Sequence, residues 1–516
     1  MFNDEDPDRE DNRGSELWNE LVFGIVKPVG VDRERFIFAL KQQLSEFGYT
    51  VHHVRLSTLL VEDYADNIVM DGMTEAQRIE ALIEAGDQLC ARADKASAVA
   101  LCGVNEIHRL RGEASSRRVA YIVDSIKRVP EVYDLKTIYR DRYIQFGLQS
   151  SEPNRRAFLT AKENPKAFSK TPGQIDADIS ILMDRDLREP QKFGQNTMRA
   201  FPLSDVFIDM DGDVEKQVAR FVNLLFGSPR YDVPTSEEFG MQLAQISSTR
   251  SPELGLKVGA AIVGADHRVI AMGVNAHPID KQQSPEFDES ATDIRRLVLD
   301  TVDALASSCF RSDVADQLKA DPEKFVEDLL TGPLEAARIR DLTEFQPTVH
   351  AEMSALLDAI RTQSSLAEVT MFVTAYPCHG CAKHLVDLEL PVVYLEPYPK
   401  SRAATMYASS VDRNFRAFCG VAPTRYQSLF AVREDRKLPD GTRRNWDASE
   451  RGKASPKVDY EVPVDFINQL ETFAINALPD PDSFTIRVAS TADVVEPSKS
   501  TDATIKSPDN VPGGGN

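Results

Sequence analysis

The stretch VTMFVTAYPCHGCAKHLVDLELPVVYLEPYP, residues 369–399, constrains the fold more than any other part of the chain. An apolar run ends at a proline, two cysteines three residues apart open a helical pattern, and a second apolar run follows. Strand, helix and strand in this order predict a parallel pair of strands with a crossover helix. Cys378 and Cys381 would then lie where the first strand turns into the helix, and a helix N-terminus favours thiolate.

A second motif, T-V-H-A-E, places His350 28 residues before Cys378. One imidazole and two thiolates can hold Zn²⁺ at three corners of a tetrahedron and leave the fourth for water. A carboxylate beside that water can carry its proton, which is the role we assign to Glu352. Because His350 and Glu352 are two residues apart, they can face one site only from the first turn of a helix, where Pro347 predicts the start.

A C-x-x-C pair in an α/β protein is also typical of a thioredoxin-like redox site. That interpretation leaves the upstream H-x-E motif unexplained, whereas H-x-E followed by P-C-x-x-C is a pattern of catalytic zinc sites. We therefore expect a catalytic zinc site made of these residues: ligands His350, Cys378 and Cys381, and general acid/base Glu352. His379 and His384 fall outside that ligand set, and Cys419 is expected to be a buried apolar position.

Composition narrows the partners and the compartment. The 516 residues contain 81 Asp and Glu against 60 Lys and Arg, a net charge of −21, which disfavours binding to nucleic acids or to anionic membranes. The other cysteines are scattered, no apolar run reaches membrane-spanning length, and the acidic N-terminus lacks a signal-peptide segment. These features predict a cytoplasmic protein without a disulfide framework.

The length of the chain predicts more than one domain. The Pro/Gly/Ser-rich stretch FGSPRYDVPTSEEFG marks the boundary between a first domain at 17–228 and a second at 229–482. Both are expected to be α/β, since apolar runs alternate with helical patterns. The second contains a hairpin signature, KVGAAIVGADHRVIAMGVN, and a charged helical insertion at about 280–343. Polar sequence at 1–16 and 491–516 predicts disordered ends.

From residue 237 to residue 430, interrupted by the insertion, the sequence resembles the deoxycytidylate deaminases of the cytidine deaminase superfamily. The resemblance rests on the two zinc motifs and on STRSPELGLKVGAAIVGADHRVIAMGVNAHP, which is similar to the family's opening helix, Arg-Ser turn and hairpin. It implies a cytidine-deaminase-like α/β/α domain with a mixed sheet, in which Asn275 contacts the substrate nucleoside. The family's usual G-Y-N-G is G-V-N-A here, so the resemblance does not extend to the sequence of its allosteric loop.

The first domain resembles a P-loop-kinase-like parallel-sheet domain through ELVFGIVKPVGVDRERF, YIVDSIKRVPE and DRDLREPQKFGQNT. The resemblance implies a nucleotide loop with Gly24 and Gly30, and it puts Asp124 in the position of the kinase metal-binding aspartate. Asp124 is equally compatible with capping its strand. A working loop reads G-x-x-x-x-G-K-[ST], but here Arg33 and Glu34 fall at the Lys and Ser/Thr positions. We therefore expect no kinase turnover, and either altered nucleotide binding or a regulatory role.

A P-loop-kinase-like domain followed by this deaminase resembles the bacterial anti-phage dCTP deaminases, to which YLEPYPKSRA is also similar. The resemblance implies a zinc enzyme that deaminates free deoxycytidine nucleotides, dCTP to dUTP or dCMP to dUMP. Two alternatives stay open: a deaminase acting on cytosine or adenine in DNA or RNA, and a housekeeping dCMP deaminase. A purely binding or sensor module would not need the carboxylate of Glu352.

A triphosphate brings roughly four negative charges, so local cations must hold it on an acidic protein. Lys400 and Arg402, directly after the last strand of the motif, are the first candidates, and Arg250 and Lys257 flank the turn before the hairpin. Each of the four is equally compatible with an ordinary surface charge. We further expect a homo-oligomer controlled by an inhibitor or effector, no membrane contact, and no nucleic-acid substrate.

Overall fold

The computed structural model describes most of the chain between residues 19 and 486. The ends predicted to be disordered, 1–16 and 491–516, lie outside the described residues. The described residues are 19–64, 73–114, 118–162, 171–189, 191–227, 233–278, 289–334, 337–342, 346–398, 400–431, 437, 439–442, 451–452, 454–458, 462–481 and 486.

The first domain is a parallel sheet with helices on both faces, as its alternating pattern predicted. Its strands are β1 (Asn19–Val26), β2 (Thr50–Arg55), β3 (Arg118–Ile126), β4 (Tyr143–Gln149) and β5 (Val206–Asp209). Its helices are α1 (Glu34–Glu46), α2 (Leu56–Tyr64), α3 (Glu75–Arg92), α4 (Ala98–Glu113), α5 (Val129–Tyr139), α6 (Glu152–Lys162), α7 (Pro172–Leu187), α8 (Thr197–Ala200) and α9 (Val214–Leu225). The strands lie in the order β2-β3-β1-β4-β5, and every neighbouring pair among them is parallel.

Successive residues of β1 point to opposite faces of the sheet, and each face packs in its own hydrophobic core. Because both faces are buried, the sequence of the strand is a continuous apolar run. Val22 packs with α4 and α5 in one core, whereas Phe23 packs with α1 and α9 in the other. Both side chains are completely buried. The described helices therefore cover both faces of the sheet and leave the ends of its strands between them.

The second domain is built on a mixed sheet, as the sequence predicted. Its strands are β6 (Gly259–Gly264), β7 (Val269–Val274), β8 (Val369–Ala375), β9 (Val392–Glu396) and β10 (Phe415–Ala417), and the short β11 (Gly420–Val421) follows. Its helices are α10 (Ser236–Ser248), α11 (Glu289–Ala306), α12 (Ser312–Ala320), α13 (Pro322–Leu330), α14 (Ala351–Arg361), α15 (His379–Asp387), α16 (Ala403–Met406), α17 (Ala408–Asn414), α18 (Pro423–Phe430) and α19 (Val464–Ile475). The strand order is β10-β9-β8-β6-β7. The predicted hairpin β6–β7 and the parallel pair β8–β9 across α15 are both confirmed.

Two glycines let helices pack directly on the sheet. A Cβ atom on Gly259 would lie 2.0 Å from the carbonyl oxygen of Ala244 in α10. A Cβ atom on Gly273 would lie 2.1 Å from the carbonyl oxygen of Ala351 in α14. Gly273 pairs with Ala260, the neighbour of Gly259, so the two glycines point to opposite faces of the sheet. The α10 and α14 helices thus form the outer layers of an α/β/α arrangement, and α14 carries the H-x-E motif on one of them.

The predicted helical insertion is confirmed for its described part, α11 to α13. These helices have a small core of their own around Val298, Leu318 and Val326, separate from the cores that flank the sheets. None of the helices described in the chain is both long enough and apolar enough to cross a membrane.

The last part of the chain returns to the first domain, which differs from the predicted division at residues 228 and 482. β11 adds to the first sheet as an antiparallel neighbour of β5. α19 packs on α4, where the guanidinium of Arg111 lies between the buried carboxylates of Glu20 and Glu471. A buried charge is stable only when it is paired, so Glu471 belongs physically to the first domain.

Candidate metal centre

His350 is the N-cap residue of α14, so the helix starts a few residues after the position predicted from Pro347. Its backbone is extended, with φ −68° and ψ 154°, and the helix begins at Ala351. Glu352 follows in the first turn, so both side chains of the H-x-E motif can face the same side. The segment that leads into His350 is held by Val349, which exchanges two backbone hydrogen bonds with Ala276 after β7.

Cys378 lies at the equivalent position of α15, directly after β8 and Pro377. Its backbone is extended, with φ −66° and ψ 164°, and its Sγ accepts a hydrogen bond from the backbone N–H of Cys381. Cys381 lies one turn further and is 2 % exposed. Both cysteines are therefore presented at a helix N-terminus, whose dipole favours the thiolate form that binds metals.

The three ligand atoms converge as a zinc site requires. His350 Nδ1 lies 3.3 Å from Cys378 Sγ and 3.5 Å from Cys381 Sγ, and all three atoms lie within 4.8 Å of one another. Tetrahedral zinc with normal bond lengths places sulfur and nitrogen ligands about 3.6 Å apart. One imidazole and two thiolates are also the soft and borderline donors that zinc prefers. The residues fit the metal, and the set of three leaves one corner of the tetrahedron open.

The pKa of each residue in the cluster depends on its neighbours in the cluster. The hydrogen bond between Cys381 and Cys378, together with that from His350, lowers the pKa of the Cys378 thiol to about 4. The same bond between the two sulfurs raises the pKa of Cys381. The hydrogen bond to Cys378 also raises the pKa of His350. Since metals bind deprotonated ligands, loading the site releases protons.

Glu352 is buried beside the cluster without belonging to the set of three ligand residues. It is 4 % exposed, and burial, together with the negative charge of Cys378, raises the pKa of its carboxyl group. A hydrogen bond with Cys381 partly offsets this increase by lowering the pKa of Glu352. A buried carboxyl group with a raised pKa beside the cluster can hold or release a proton there.

Asn275 lies at the end of β7, one residue before the bridge that leads to His350. Its Oδ1 accepts a hydrogen bond from the N–H of Val258 at 2.7 Å, and its Nδ2 donates one to the carbonyl oxygen of Leu256 at 2.8 Å. The side chain thus holds the loop before β6. Each of these two bonds uses one of the two N–H groups of Nδ2 or one of the two lone pairs of Oδ1. Its predicted contact with the substrate stays a prediction.

The four predicted phosphate-binding cations lie in two segments. Arg250 and Lys257 are exposed at the two ends of the loop between α10 and β6. Lys400 is exposed and Arg402 is half-buried, just after β9. Between this second pair, the hydroxyl of Ser401 donates a hydrogen bond to the carbonyl oxygen of Pro377 at 2.6 Å, so the segment is attached to the cysteine turn.

Sequence reasoning missed Glu253 and Ser401. Glu253 accepts a hydrogen bond from Thr348 at 3.0 Å, and its charge contributes to the raised pKa of His350. Both residues lie inside stretches that the family resemblance covers, SPELG and YPKSR. Their position next to the cluster depends on the packing of distant segments, so only the resemblance offered a signal. Cys419, predicted to be a buried apolar position, is half-buried and accepts a hydrogen bond from Gln149.

The residues proposed for a nucleotide loop in the first domain are not all in one loop. Gly24 lies inside β1, where a Cβ atom would lie 2.1 Å from the hydroxyl of Tyr143, so it is a packing position of the strand. Gly30 lies in the loop after β1 with φ +86°. Asp124 is buried in β3, where it pairs with Arg33.

The comparisons with known proteins bear on the second domain. Residues 234–396 match the family model described as the cytidine and deoxycytidylate deaminase zinc-binding region. Deoxycytidylate deaminases of Enterobacteria phages T2 and T4 are each 42 % identical over 55 residues, which is 10 % of this chain and 29 % and 28 % of those proteins. The match therefore spans less than a third of either phage protein.

Two further similarities cover a larger share of the protein that this chain was compared with. A probable deoxycytidylate deaminase of Caenorhabditis elegans is 23 % identical over 202 residues, 39 % of this chain and 73 % of that protein. The crystal structure of dCMP deaminase from the cyanophage S-TIM5 aligns with 16 % identity and a TM-score of 0.21, covering 36 % of this chain and 98 % of that one. The matched region contains His350, Cys378 and Cys381. Residues 234–396 are thus similar to the zinc-binding region of the cytidine and deoxycytidylate deaminases, and these three residues form a cluster that could hold a metal ion.

Proposed function

We propose that the protein hydrolytically deaminates free deoxycytidine nucleotides, with dCTP as the main substrate and dUTP as its product. The observation that carries this proposal is the cluster of His350, Cys378 and Cys381 with the buried carboxyl group of Glu352 beside it. A zinc scaffold without catalysis has no use for a carboxyl group beside the cluster, whereas a hydrolytic site needs one to move protons.

When bound, zinc supplies a Lewis acid that lowers the pKa of a coordinated water. Glu352 takes the proton of the attacking water and donates it to N3 of cytosine as the C4–O bond forms. It then assists the second proton transfer, to the exocyclic nitrogen, so that the C4–N bond breaks and ammonia leaves. Water is consumed and ammonia is released, which converts cytosine into uracil with no oxidant or reductant.

The phosphate groups of the substrate need cations near the pocket. Lys400 and Arg402 flank Ser401, which is bonded to the residue before Cys378, so their segment lies at the cysteine turn. Arg250 and Lys257 lie on the loop that Asn275 holds. These cations would offset the protein's net charge of −21 locally, while that charge disfavours a nucleic-acid polymer as substrate.

A second candidate is dCMP, in a housekeeping reaction that supplies dUMP. It is favoured by the names of the phage relatives, which are deoxycytidylate deaminases. The combination of this domain with a first α/β domain resembles the bacterial anti-phage dCTP deaminases, and it supports the proposal that the enzyme depletes the dCTP pool during infection. The predicted P-loop-kinase-like character of the first domain stays a prediction.

A substrate panel tests the activity. Purified, zinc-loaded protein is incubated with dCTP, dCMP, CTP, deoxycytidine, dATP and single-stranded DNA, and the products are identified by mass spectrometry. If dCTP is deaminated faster than the other substrates, the proposal is supported. If dCMP is deaminated fastest, the second candidate replaces it. Deamination of the polymer alone overturns both.

The role in defence needs a separate experiment. Cells that express the wild-type protein or a Glu352→Ala variant are infected with phage, and nucleotide pools are measured over the infection cycle. A fall of dCTP with a rise of dUTP or dUMP, only in cells with the wild-type protein, supports the proposal. Equal pools in both cultures, with equal phage yields, contradict it.

A further inference from the structure

A cleft in the first domain contains an excess of positive charge. It has a volume of about 160 Å³ and lies where the neighbouring strands β1, β3 and β2 end. Seven of its described lining residues are Lys or Arg and four are Asp or Glu, a formal excess of three positive charges. The whole chain has the opposite balance, with a net charge of −21. The positive charge of the cleft is therefore a local feature, which the composition of the chain does not explain.

Lys27 is the most buried of the lysines that line the cleft. It is only 7 % exposed, and no carboxylate among the described residues lies within ion-pair distance of its side-chain nitrogen. The nearby charges of Lys127 and Arg33 are also positive. Burying a charged ammonium group without a partner of opposite charge is costly. The environment of Lys27 therefore favours the neutral amine.

The carboxylates close to Lys27 are engaged by other cations. Asp124 contacts the guanidinium of Arg33. Asp186 accepts a hydrogen bond from the ammonium group of Lys127 at 2.6 Å. Each of these carboxylates thus neutralises a neighbour of Lys27, and Lys27 itself has no counter-charge.

A neutral lysine amine is a nucleophile. Burial, with the charges of Lys127 and Arg33, lowers the pKa of Lys27 from 10.5 to about 7. Enzymes that form covalent bonds through a lysine activate it in the same two ways, by desolvation and by a neighbouring cation. At neutral pH the lone pair of Nζ is therefore available for bond formation in Lys27, whereas in an exposed lysine a proton occupies it.

Two cations of the cleft can stabilise a negative charge formed on this amine. Lys127 follows β3, and its Nζ donates a hydrogen bond to the backbone carbonyl oxygen of Lys27 at 2.7 Å. Arg55 ends β2 and pairs in register with Asp124 of β3, which pairs with Ile25, two residues before Lys27. The guanidinium of Arg55 is exposed and bonds to no other described residue. It is therefore free to bind an anion.

The backbone around Lys27 is fixed by contacts from α6. Gly30 has φ +86°, and a Cβ atom there would lie 2.8 Å from the carbonyl oxygen of Arg155. The guanidinium of Arg155 donates to the carbonyl oxygen of Val29 at 3.2 Å. Because the loop directly after Lys27 is held in this way, the amine stays buried, and only a small reagent can reach it without a change of the loop.

We propose that Lys27 is a carbamylation site, at which the amine adds carbon dioxide and becomes a carbamate held by Lys127 and Arg55. The lone pair of Nζ forms a bond to the carbon of CO₂, one C–O π pair moves onto oxygen, and Nζ releases one proton to solvent. One amine and one CO₂ thus give one carbamate and one proton, without an oxidant or reductant.

The charge of the cleft explains why the carbamate would persist there. Carbon dioxide is small and uncharged, so it can approach a buried amine, and the product is an anion among cations. The formal excess of positive charge falls from three to one, because one cation of the lining becomes an anion. Charge-assisted hydrogen bonds from Lys127 and Arg55 are the strong kind that stabilises such an anion. This site is separate from the zinc site and independent of the deaminase reaction.

Labelling of the full-length protein with ¹³C-bicarbonate at pH 8 tests the proposal. The carbamate carbon gives an NMR resonance separate from those of bicarbonate and dissolved CO₂. Triethyloxonium then traps carbamates as ethyl esters, and peptide mass spectrometry locates them. Lys27 should be labelled at least about 10-fold more than any exposed lysine, because most of its amine is neutral at this pH, against about 1 % or less of an ordinary lysine.

Variants assign the label. Lys27→Met should remove the label from this peptide. Arg55→Gln, at an exposed position, keeps the amine and should lower the labelling of Lys27 severalfold, and it covers the case in which the first variant fails to fold. The control Lys216→Met removes an exposed lysine of α9 and should leave the labelling of Lys27 unchanged. Bicarbonate should raise the melting temperature of the wild type above that in chloride of equal ionic strength, and should not do so in Lys27→Met.

Three results overturn the proposal. The first is that Lys27 is labelled no more than the exposed lysines. The second is that bicarbonate stabilises the wild type while no carbamate resonance appears, which would mean that the cleft binds an anion without a covalent bond. The third is that Arg55→Gln leaves the labelling of Lys27 unchanged, which removes Arg55 as a residue that holds the carbamate.

Discussion

The hydroxyl of Ser401 donates a hydrogen bond to the carbonyl oxygen of Pro377 at a distance of 2.6 Å. Pro377 precedes the metal ligand Cys378, and Ser401 separates Lys400 from Arg402. This single bond joins the segment after β9 to the turn that carries the cysteines. The two cations are therefore placed by a segment that is bonded to the turn with Cys378.

Replacing Lys400 by Ala is expected to raise the KM for dCTP about 10-fold or more, and to change the KM for deoxycytidine little, because only the nucleotide carries the charge that Lys400 would bind. Steady-state kinetics with both substrates and a zinc determination measure this. Lys319→Ala, in the insertion, is the matched control for loss of an exposed lysine. Equal changes in the KM for the two substrates would show that Lys400 does not bind the phosphates.

Replacing Glu352 by Gln is expected to reduce kcat by about 10² to 10⁴ while the zinc content stays that of the wild type. In the proposed mechanism the carboxyl group moves protons, and it is not one of the three residues of the cluster, so its loss should remove general acid/base assistance only. Turnover and elemental analysis are measured on the same preparation, with Glu323→Gln as an exposed control. Turnover close to the wild type would exclude the mechanism proposed for Glu352.

Replacing Cys378 by Ala is expected to remove the metal itself and to lower the melting temperature of the second domain. Metal-binding free energy is part of the folding free energy, and a site with two ligands left binds zinc weakly. Treatment of the wild type with a chelator should reproduce both effects, whereas Cys309→Ala, at an exposed cysteine of the insertion, should show neither. Full zinc occupancy in the Cys378 variant would disprove its assignment as a ligand.

Lys27 is expected to make the stability of the first domain dependent on pH. Burial, with the charges of Lys127 and Arg33, lowers the pKa of Lys27 from 10.5 to about 7. Between these two values the unfolded chain holds a proton that the folded chain has released, so stability rises with pH in this window. The destabilising effect is complete below about pH 7. Lys27→Met removes it, and should therefore raise the melting temperature most at about pH 6 and least towards pH 10.

Calorimetry without ligand at several pH values measures the difference between Lys27→Met and the wild type. The charged groups that face Lys27 remain in both proteins: Lys127, Asp124, Arg33 and Asp186. Lys216→Met should show no such trend. The difference in melting temperature between Lys27→Met and the wild type should shrink as the pH rises. A difference that stays constant or grows with pH would contradict the lowered pKa of Lys27.

Replacing Glu471 by Ala is expected to destabilise the first domain by roughly 3 kcal/mol. Glu471 lies in α19, far from the first domain in the sequence. The change leaves the buried guanidinium of Arg111 with Glu20 as its remaining carboxylate, and breaking a buried ion pair costs about this much. Glu471→Gln keeps an acceptor and should cost less. Urea unfolding measures both variants, and a loss below about 1 kcal/mol for the Ala variant would show that α19 is not part of that domain.

The sequence predicted the metal centre because its signals are local. His350 and Cys378 each stand at a helix start marked by a nearby proline, and their chemistry is specific enough to identify a shared metal. The hairpin and the crossover were equally visible in short apolar runs. The physical reason is that caps, turns and alternation depend on neighbours in the sequence, so a local pattern suffices.

The return of the chain to the first domain was not predictable in the same way. β11 consists of Gly420 and Val421 and has no pattern that distinguishes it from a loop. Lys27 is only 7 % exposed, and nothing in the local sequence after the apolar run of β1 indicates that burial. Likewise, nothing near Arg111 indicates that its second carboxylate lies in α19. Long-range packing decides each of these features.

The pairing of β11 with β5 also has a consequence for biosynthesis. A ribosome releases β5 early, whereas Gly420, Val421 and the helix with Glu471 emerge only after β10 of the second sheet has been made. Until then the nascent chain presents the open edge of β5, a template for unwanted strand pairing, and Arg111 lacks one of its two carboxylates. The first domain is therefore completed only after the second sheet has been synthesised, and a chaperone that shields the edge of β5 would act during the translation of that sheet.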